Sequence, residues 1–133
     1  MSRENVEIMR RFHETFNRRD VDAWLGLMHP DVELVPITAR MEGTVYRGHD
    51  EIRRWLREFD EDWELFRTTP LEFQDLGDHF LVLGTWDARA RTSGVRLDAQ
   101  PGAWVAAVRD GKITRQETFT NRAEALEALS LSE

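Results

Sequence analysis

The sequence predicts an α+β protein in which helices pack against an antiparallel sheet. Up to about residue 60, apolar residues recur at spacings of three and four, which is typical of amphipathic helices. From Trp63 onward the spacing approaches alternation, which favours strands. Residues 109–112, Arg-Asp-Gly-Lys, predict a tight hairpin between two of these strands, because Asp-Gly suits a type I′ turn. Helices and strands segregated in this way indicate a layered α+β architecture.

Three helices are predicted before most of the sheet. The first spans about residues 3–18, and the second begins after Asp20, a good N-cap residue, and ends before Pro30. The third spans about residues 50–60. The apolar positions that define the three stripes are Val6, Met9, Phe12, Phe16, Val21, Trp24, Leu25, Met28, Ile52, Trp55, Leu56 and Phe59.

One early strand and four later ones make up the predicted sheet. The early strand covers 31–37, where Pro36 indicates an edge or a bulge, and a loop containing Gly43 follows. A terminal helix at 122–129 starts after Asn121, with Glu124 at the spacing of a capping box. The later strands are predicted at 63–76, with a break at Pro70, and at 79–92, 95–109 and 112–119.

The composition restricts the class of function. A chain of 133 residues with 41% hydrophobic and 32% charged residues predicts one globular domain, residues 1–133. The net charge of −7 disfavours nucleic acid and anionic membranes as partners. The chain has no cysteine and no apolar signal segment in MSRENVEIMRRF, so a cytoplasmic location is expected. No metal site is predicted, because no two of the four histidines are spaced as metal ligands on one helix or strand. The histidines are His13, His29, His49 and His79.

Four segments in this order carry a resemblance to a known family: FNRRDVDAWLGLMHPDVEL, YRGHDEIRRWL, VRDGKI and NRAEALEAL. Together they cover nearly the whole chain, which resembles the nuclear transport factor 2-like superfamily and its SnoaL-like, polyketide cyclase-like branch. The resemblance implies a cone-shaped, curved antiparallel sheet wrapped around a long N-terminal helix, with a pocket at the open end. It also implies a homodimer that binds a small hydrophobic molecule and needs no cofactor.

Two catalytic patterns of this superfamily are not met. Ketosteroid isomerases use an acid, a tyrosine and a second, protonated acid. In that order, the corresponding positions fall near Pro36, Phe12 and Trp104. None of these residues can donate or accept the required proton, apart from the indole N–H of Trp104. Limonene-type epoxide hydrolases use two acids and an arginine, and their positions fall near Thr85, Asp87 and Thr118, with one acid remaining.

Asp87 with Arg89 is the predicted catalytic pair, by analogy with the pocket acid of SnoaL-type cyclases; Asp98 and Glu117 are weaker candidates. Asp87 and Arg89 are two apart on a strand and therefore share a face. An adjacent arginine favours the charged carboxylate, which suits substrate positioning better than general-base catalysis. The hydrophobic pattern instead turns another set inward: Phe80, Val82, Trp86, Ala88 and Ala90. The correspondence with family members is given slightly more weight than the hydrophobic pattern, so the face of the strand that carries Asp87 is expected to line the pocket.

Aromatic residues are expected to shape the pocket, as small-molecule sites are mostly apolar. The first predicted helix also carries His13, next to the core stripe and within reach of the pocket. The function expected is binding of a hydrophobic organic molecule, with a cofactor-free lyase, isomerase or cyclase step. The alternatives are a non-catalytic binding or interaction module and, third, a metal-dependent enzyme. The expected ligand-binding residues are Phe12, Tyr46, Trp55, Phe59, Trp104, Thr118 and Phe119.

Overall fold

A computed structural model describes residues 3–37 and 43–131, and it confirms the α+β fold. Part of the predicted loop before Gly43 lies outside these residues. In chain order the elements are α1 (Arg3–Arg18), α2 (Val21–Gly26), β1 (Met28–Val35), β2 (Tyr46–Arg47), α3 (Gly48–Asp62), β3 (Trp63–Asp75), β4 (Phe80–Ala90), β5 (Arg96–Arg109), β6 (Lys112–Phe119) and α4 (Arg122–Leu131).

The six strands form one sheet in the order β2-β1-β6-β5-β4-β3. Neighbouring strands are antiparallel except β1 and β6, which run parallel. The second helix ends earlier than predicted. Met28 begins β1 and pairs with Ile113, and the backbone N–H of Ile113 also donates to the carbonyl of Leu27. Pro36 follows β1 instead of lying within it, so it removes no donor from the ladder.

Helix α1 packs its apolar stripe on one face of the sheet, here called the inner face. Met9, Phe12 and Phe16 are buried there. Phe80 and Val82 of β4 and Trp104 and Ala106 of β5 belong to the same cluster. Helix α4 covers part of the opposite, outer face, where the buried cluster consists of Leu81, Ala103, Val105, Phe119 and Ala125. Because this sheet is covered on both faces, its strands lose clean alternation.

Local signals explain the connections. Asp110 and Gly111 have φ angles of 51° and 77°, as the predicted type I′ turn between β5 and β6 requires. Asn121 caps α4, since its side-chain oxygen accepts from the backbone N–H of Glu124 at 2.9 Å. The Glu124 carboxylate in turn accepts from the backbone N–H of Thr120 at 3.1 Å, so the reciprocal half of the capping box falls one residue before Asn121.

Register shifts interrupt the pairing of β3, β4 and β5, and two of them lie at positions that matter here. The β3–β4 register shifts between Pro70 and Glu72, which is the break expected at Pro70. The β4–β5 register shifts between Trp86 and Ala88, where β5 contains one residue more than β4. Ala99 in this bulge has a φ of 49°, and its N–H donates to Asp87 Oδ1 at 2.8 Å. A bulge changes which residues of the following segment face inward, so counting along the chain across it misassigns faces.

Gly84 marks a close approach of β4 to β3. A Cβ atom built at this position would lie 2.1 Å from the carbonyl oxygen of Thr69, which belongs to the backbone. We expect Gly84→Ala to lower the free energy of unfolding by about 2–3 kcal/mol through overpacking, measured by chemical denaturation. Gly26→Ala is the matched control, because a Cβ there meets nothing within 4 Å. Equal effects of the two substitutions would contradict this close approach.

Candidate functional site

A cavity of about 60 Å³ lies between the three N-terminal helices and the inner face of the sheet. Side chains from α1, α2, α3 and five of the strands or their ends surround it. Eleven of the fifteen lining residues are apolar or aromatic, so the cavity offers few polar contacts. The lining residues are Phe12, His13, Phe16, Trp24, Leu34, Pro36, Ile37, Trp55, Phe59, Phe66, Thr68, Trp86, Trp104, Gln116 and Thr118.

Aromatic rings form most of the wall. Four of the five tryptophans of the chain line the cavity. Phe66 lies between Phe59, at 4.9 Å between ring centroids, and Trp86, at 5.1 Å with the planes nearly parallel. Trp55 lies 4.9 Å from Phe59 and extends the same series along α3. A wall of contacting rings with apolar faces suits a flat, apolar ligand.

A short chain of polar side chains enters the wall from α1. His13 is buried, and its Nδ1 lies 2.8 Å from Thr68 Oγ1 on β3. Thr68 Oγ1 lies 3.3 Å from Asn17 Oδ1. The Asn17 side chain also makes two hydrogen bonds with the backbone of Thr68. Its Oδ1 accepts from the N–H at 2.9 Å, and its Nδ2 donates to the carbonyl at 2.8 Å. The polar end of α1 is thereby fixed to the middle of β3.

Three buried polar atoms of the cavity wall have no hydrogen-bond partner within residues 3–37 and 43–131. They are His13 Nε2, Trp24 Nε1 and Gln116 Oε1. All three side chains are at most 2% exposed. Buried polar groups are normally paired, and leaving one unpaired costs about 1–3 kcal/mol. All three atoms belong to side chains that line one cavity, and each atom is itself buried.

Burial sets the protonation state of His13. Desolvation lowers the pKa of His13 from 6.5 to about 3. The imidazole is therefore neutral at neutral pH, with one ring nitrogen carrying hydrogen and the other a lone pair. His13 also lies edge-on to Trp104, with 4.8 Å between ring centroids, which keeps the ring within the aromatic wall. Among the lining residues that the structure describes, the cavity thus contains a neutral imidazole and no charged side chain.

Five of the predicted ligand-binding residues line the cavity: Phe12, Trp55, Phe59, Trp104 and Thr118. Tyr46 does not line it, but packs against the core and lies 6.2 Å from Trp55 between ring centroids. Phe119 lies in the outer cluster beneath α4. Consecutive strand residues point to opposite faces, so Thr118 and Phe119 cannot both face the cavity. The expected position of Phe119 is therefore corrected.

Asp87 and Arg89 do not line the cavity. Trp86 lines it and Ala88 is buried, as the hydrophobic pattern of this strand indicated, so the preference for the other face is corrected. The Asp87 carboxylate accepts the backbone N–H of Ala99, and Arg89 lies 3.3 Å from the carboxylate of Glu64 in an exposed pair. A catalytic role for Asp87 and Arg89 stays a prediction, and it would require chemistry away from this cavity.

The sequence alone did not indicate that four polar side chains would line one cavity. They are His13, Trp24, Thr68 and Gln116. Trp24 was assigned to the core stripe, and Thr68 and Gln116 carried no motif. His13 was considered only for its nearness to the stripe, yet it follows Phe12 directly and shares the buried side of α1. A polar residue on the apolar side of a helix was the signal available.

Within the described ranges, no three His, Cys, Asp or Glu side chains are grouped as metal ligands. None of the helices described has the length and apolar composition needed to span a membrane.

His13 predicts a specific dependence of stability on pH. Its folded pKa lies below its unfolded value, so between pH 6.5 and about 3 the unfolded chain binds a proton that the folded protein does not. The free energy of unfolding should therefore fall with decreasing pH through this window, by about 1.4 kcal/mol per pH unit from His13 alone. His13→Gln lacks this contribution, so the stability difference between the two proteins should change with that slope.

The comparison of wild type with His13→Gln also removes the contribution of Glu33 to the pH dependence. Hydrogen bonds from Arg47 and then Arg115 hold the pKa of Glu33 below its usual value, and that stabilisation is lost in acid in both proteins alike. Urea unfolding at several pH values between 3 and 7 measures both curves. Parallel curves for wild type and His13→Gln would show that His13 is not held neutral by burial.

Comparison with known proteins shows the family to which the chain belongs. The sequence model of the SnoaL-like domain matches residues 9–116. A nuclear transport factor 2-like protein of unknown function from Burkholderia pseudomallei is 27% identical, with a TM-score of 0.81, over 96% of this chain and 97% of that chain. TerC, co-crystallised with polyporic acid, is 29% identical, with a TM-score of 0.78, over 95% and 97%.

A third solved structure, a nuclear transport factor 2-like protein from Burkholderia thailandensis, is 25% identical, with a TM-score of 0.74, over 92% of this chain and 95% of that chain. The comparison with curated proteins gives no match. The fold and these similarities confirm the resemblance carried by the four sequence segments. Because the family match spans most of the chain, the protein belongs to the SnoaL-like domain family.

Proposed function

We propose that the protein binds a small, mostly aromatic organic molecule in the cavity beside α1. The observation that carries this proposal is a wall of contacting rings that also contains three buried, unpaired polar atoms. The rings provide apolar contact area, and the polar atoms would orient the ligand. A core built only for stability gains nothing from unpaired polar groups, so their presence favours a binding role.

The size of the cavity restricts the ligand. About 60 Å³ accommodates only a few atoms, whereas sites for drug-sized ligands are about 300–1,000 Å³. We expect binding to move rings at the less buried side of the wall, Trp55 and Phe59, which are half-buried on α3. Side-chain rotations of this kind are common on binding. TerC, a relative of 29% identity, was co-crystallised with polyporic acid, which makes that compound a reasonable first probe.

Catalysis without a cofactor, of the lyase, isomerase or cyclase type, is the second candidate. His13 is the group that would exchange protons with a bound molecule, on the condition that the ligand stabilises the charged imidazolium. Mass spectrometry of a ligand recovered after incubation separates the two candidates. Unchanged ligand supports a binding module, and a new product whose formation is lost in His13→Gln supports an enzyme. Product formation lost in Asp87→Asn would instead restore the predicted role of Asp87.

The homodimer implied by the resemblance is also part of the proposal. Its support is the outer face of the sheet, where Leu83 is half-buried against the outer cluster and Arg115 and Glu117 are partly covered. Light scattering on the purified protein measures the oligomeric state directly. A monomer at micromolar concentration would end this part of the proposal without affecting the cavity.

A cavity-filling substitution tests the binding site. Thr118→Phe places a ring in the cavity, and we expect it to weaken binding of a probe such as polyporic acid by at least about tenfold. Thr69→Phe is the matched control, since the Thr69 side chain is exposed on β3. Titration followed by tryptophan fluorescence suits the measurement, because four tryptophans line the cavity. If a folded Thr118→Phe protein binds the probe with unaltered affinity, the probe does not bind in this cavity.

A further inference from the structure

We propose that Asn17 and Thr68 hold His13 as its Nδ1–H tautomer, so that Nε2 offers a hydrogen-bond acceptor and the cavity selects ligands that donate from O–H or N–H. The inference rests on the proposed function of the cavity and makes His13 a specificity-determining residue. It starts from three contacts: His13 Nδ1 to Thr68 Oγ1 at 2.8 Å, Thr68 Oγ1 to Asn17 Oδ1 at 3.3 Å, and Thr68 N–H to Asn17 Oδ1 at 2.9 Å.

The orientation of the Asn17 amide is fixed by the backbone of β3. Its Nδ2 donates to the carbonyl of Thr68, and its Oδ1 accepts from the N–H of the same residue. A flipped amide would place donor against donor and acceptor against acceptor. The atom of Asn17 that faces the Thr68 hydroxyl is therefore an acceptor. The hydroxyl has one hydrogen, and donating it to Asn17 leaves its oxygen free to accept from His13.

Counting hydrogen bonds separates the two tautomers of His13. In the Nδ1–H form, His13 donates to Thr68 and Thr68 donates to Asn17, which makes two bonds. In the Nε2–H form, the Thr68 hydroxyl must donate to Nδ1, so its contact with Asn17 Oδ1 is lost and one bond remains. That form also buries an N–H donor without a partner in the described part of the chain. Orphaned buried N–H groups are rare in proteins, so the Nδ1–H form is favoured.

The tautomer determines what the cavity can recognise at this point. An Nε2 lone pair accepts a hydrogen bond from a hydroxyl or amine and repels a carbonyl or ether oxygen. Gln116 adds a second acceptor, since its Oε1 is unpaired while its Nε2 lies 3.5 Å from the carbonyl of Glu117. Trp24 Nε1 is a donor and can serve a ligand oxygen. Two acceptors and one donor in an apolar wall therefore suit a hydroxylated aromatic compound better than a hydrocarbon, an ether or a simple ketone.

Nitrogen NMR tests the tautomer without any ligand. Protein labelled with ¹⁵N in its four histidines would be examined at pH 7, with the His13 signals identified by their loss in His13→Gln. We expect hydrogen on Nδ1 and a lone pair on Nε2. Hydrogen on Nε2, or a rapidly exchanging mixture, would overturn the inference. Because the wild-type protein suffices, this result does not depend on whether a variant folds or a ligand binds.

Two matched variants test whether the Thr68 hydroxyl sets the tautomer of His13. Thr68→Val removes the hydroxyl with little change of shape, and we expect Nε2–H to become populated in it. Thr69→Val makes the same substitution one residue away at an exposed position and should keep the wild-type tautomer. Thermal melting shows whether each variant is folded. An unchanged tautomer in folded Thr68→Val would show that Thr68 does not set it.

Ligand selectivity tests the consequence. The probes are 2-naphthol, its methyl ether 2-methoxynaphthalene, and naphthalene, which share one ring system. We expect wild type to bind 2-naphthol about tenfold more tightly than either other probe, and Thr68→Val to lose most of that preference, measured by tryptophan fluorescence. Equal binding of the three probes to wild type would overturn the selection by His13. Binding of none of them would count against the proposed function, while the NMR result would still decide the tautomer.

Discussion

The contact between helix α1 and strand β3 determines where every other part of the site lies. Asn17 pairs both polar atoms of its side chain with the backbone of Thr68, so α1 has one position along the strand. That position places His13 edge-on to Trp104 and Phe12 beside Trp24, and all four side chains line the cavity. Apolar packing alone would tolerate small shifts of the helix. The half-buried Asn17 amide would lose both of its backbone partners in such a shift, and this loss is costly.

Much of the fold follows from local pattern. The stripe of α1, the cap at Asp20, the Asp-Gly turn and the cap at Asn121 each depend on residues close in sequence, and all were predictable. The boundary at Met28 was not, because it is set by pairing with Ile113, a partner far along the chain. Tertiary pairing decides such a boundary over local helical spacing.

The site was less predictable than the fold, for two physical reasons. The face of β4 was chosen by correspondence with the positions of family members. Such a correspondence fails across a bulge like the one between Trp86 and Ala88, because a bulge changes face parity. The hydrophobic pattern within β4 needs no such correspondence and placed Trp86 inward as the structure does. The polar chain was hidden for another reason. Its members Asn17 and Thr68 are 51 residues apart, and neither has a distinctive motif, so only folding brings them together.

The charge of the cavity bears on the choice between binding and catalysis. Among its described lining residues, none is acidic or basic apart from His13, and burial lowers the pKa of His13 to about 3. A base this weak removes a proton from carbon poorly near neutral pH. It becomes a better base only when something favours its charged form, and an acidic ligand bound beside Nε2 would do so. A neutral ligand would therefore be held and released unchanged, whereas a ligand with an ionisable hydroxyl would bring the charge that proton transfer needs.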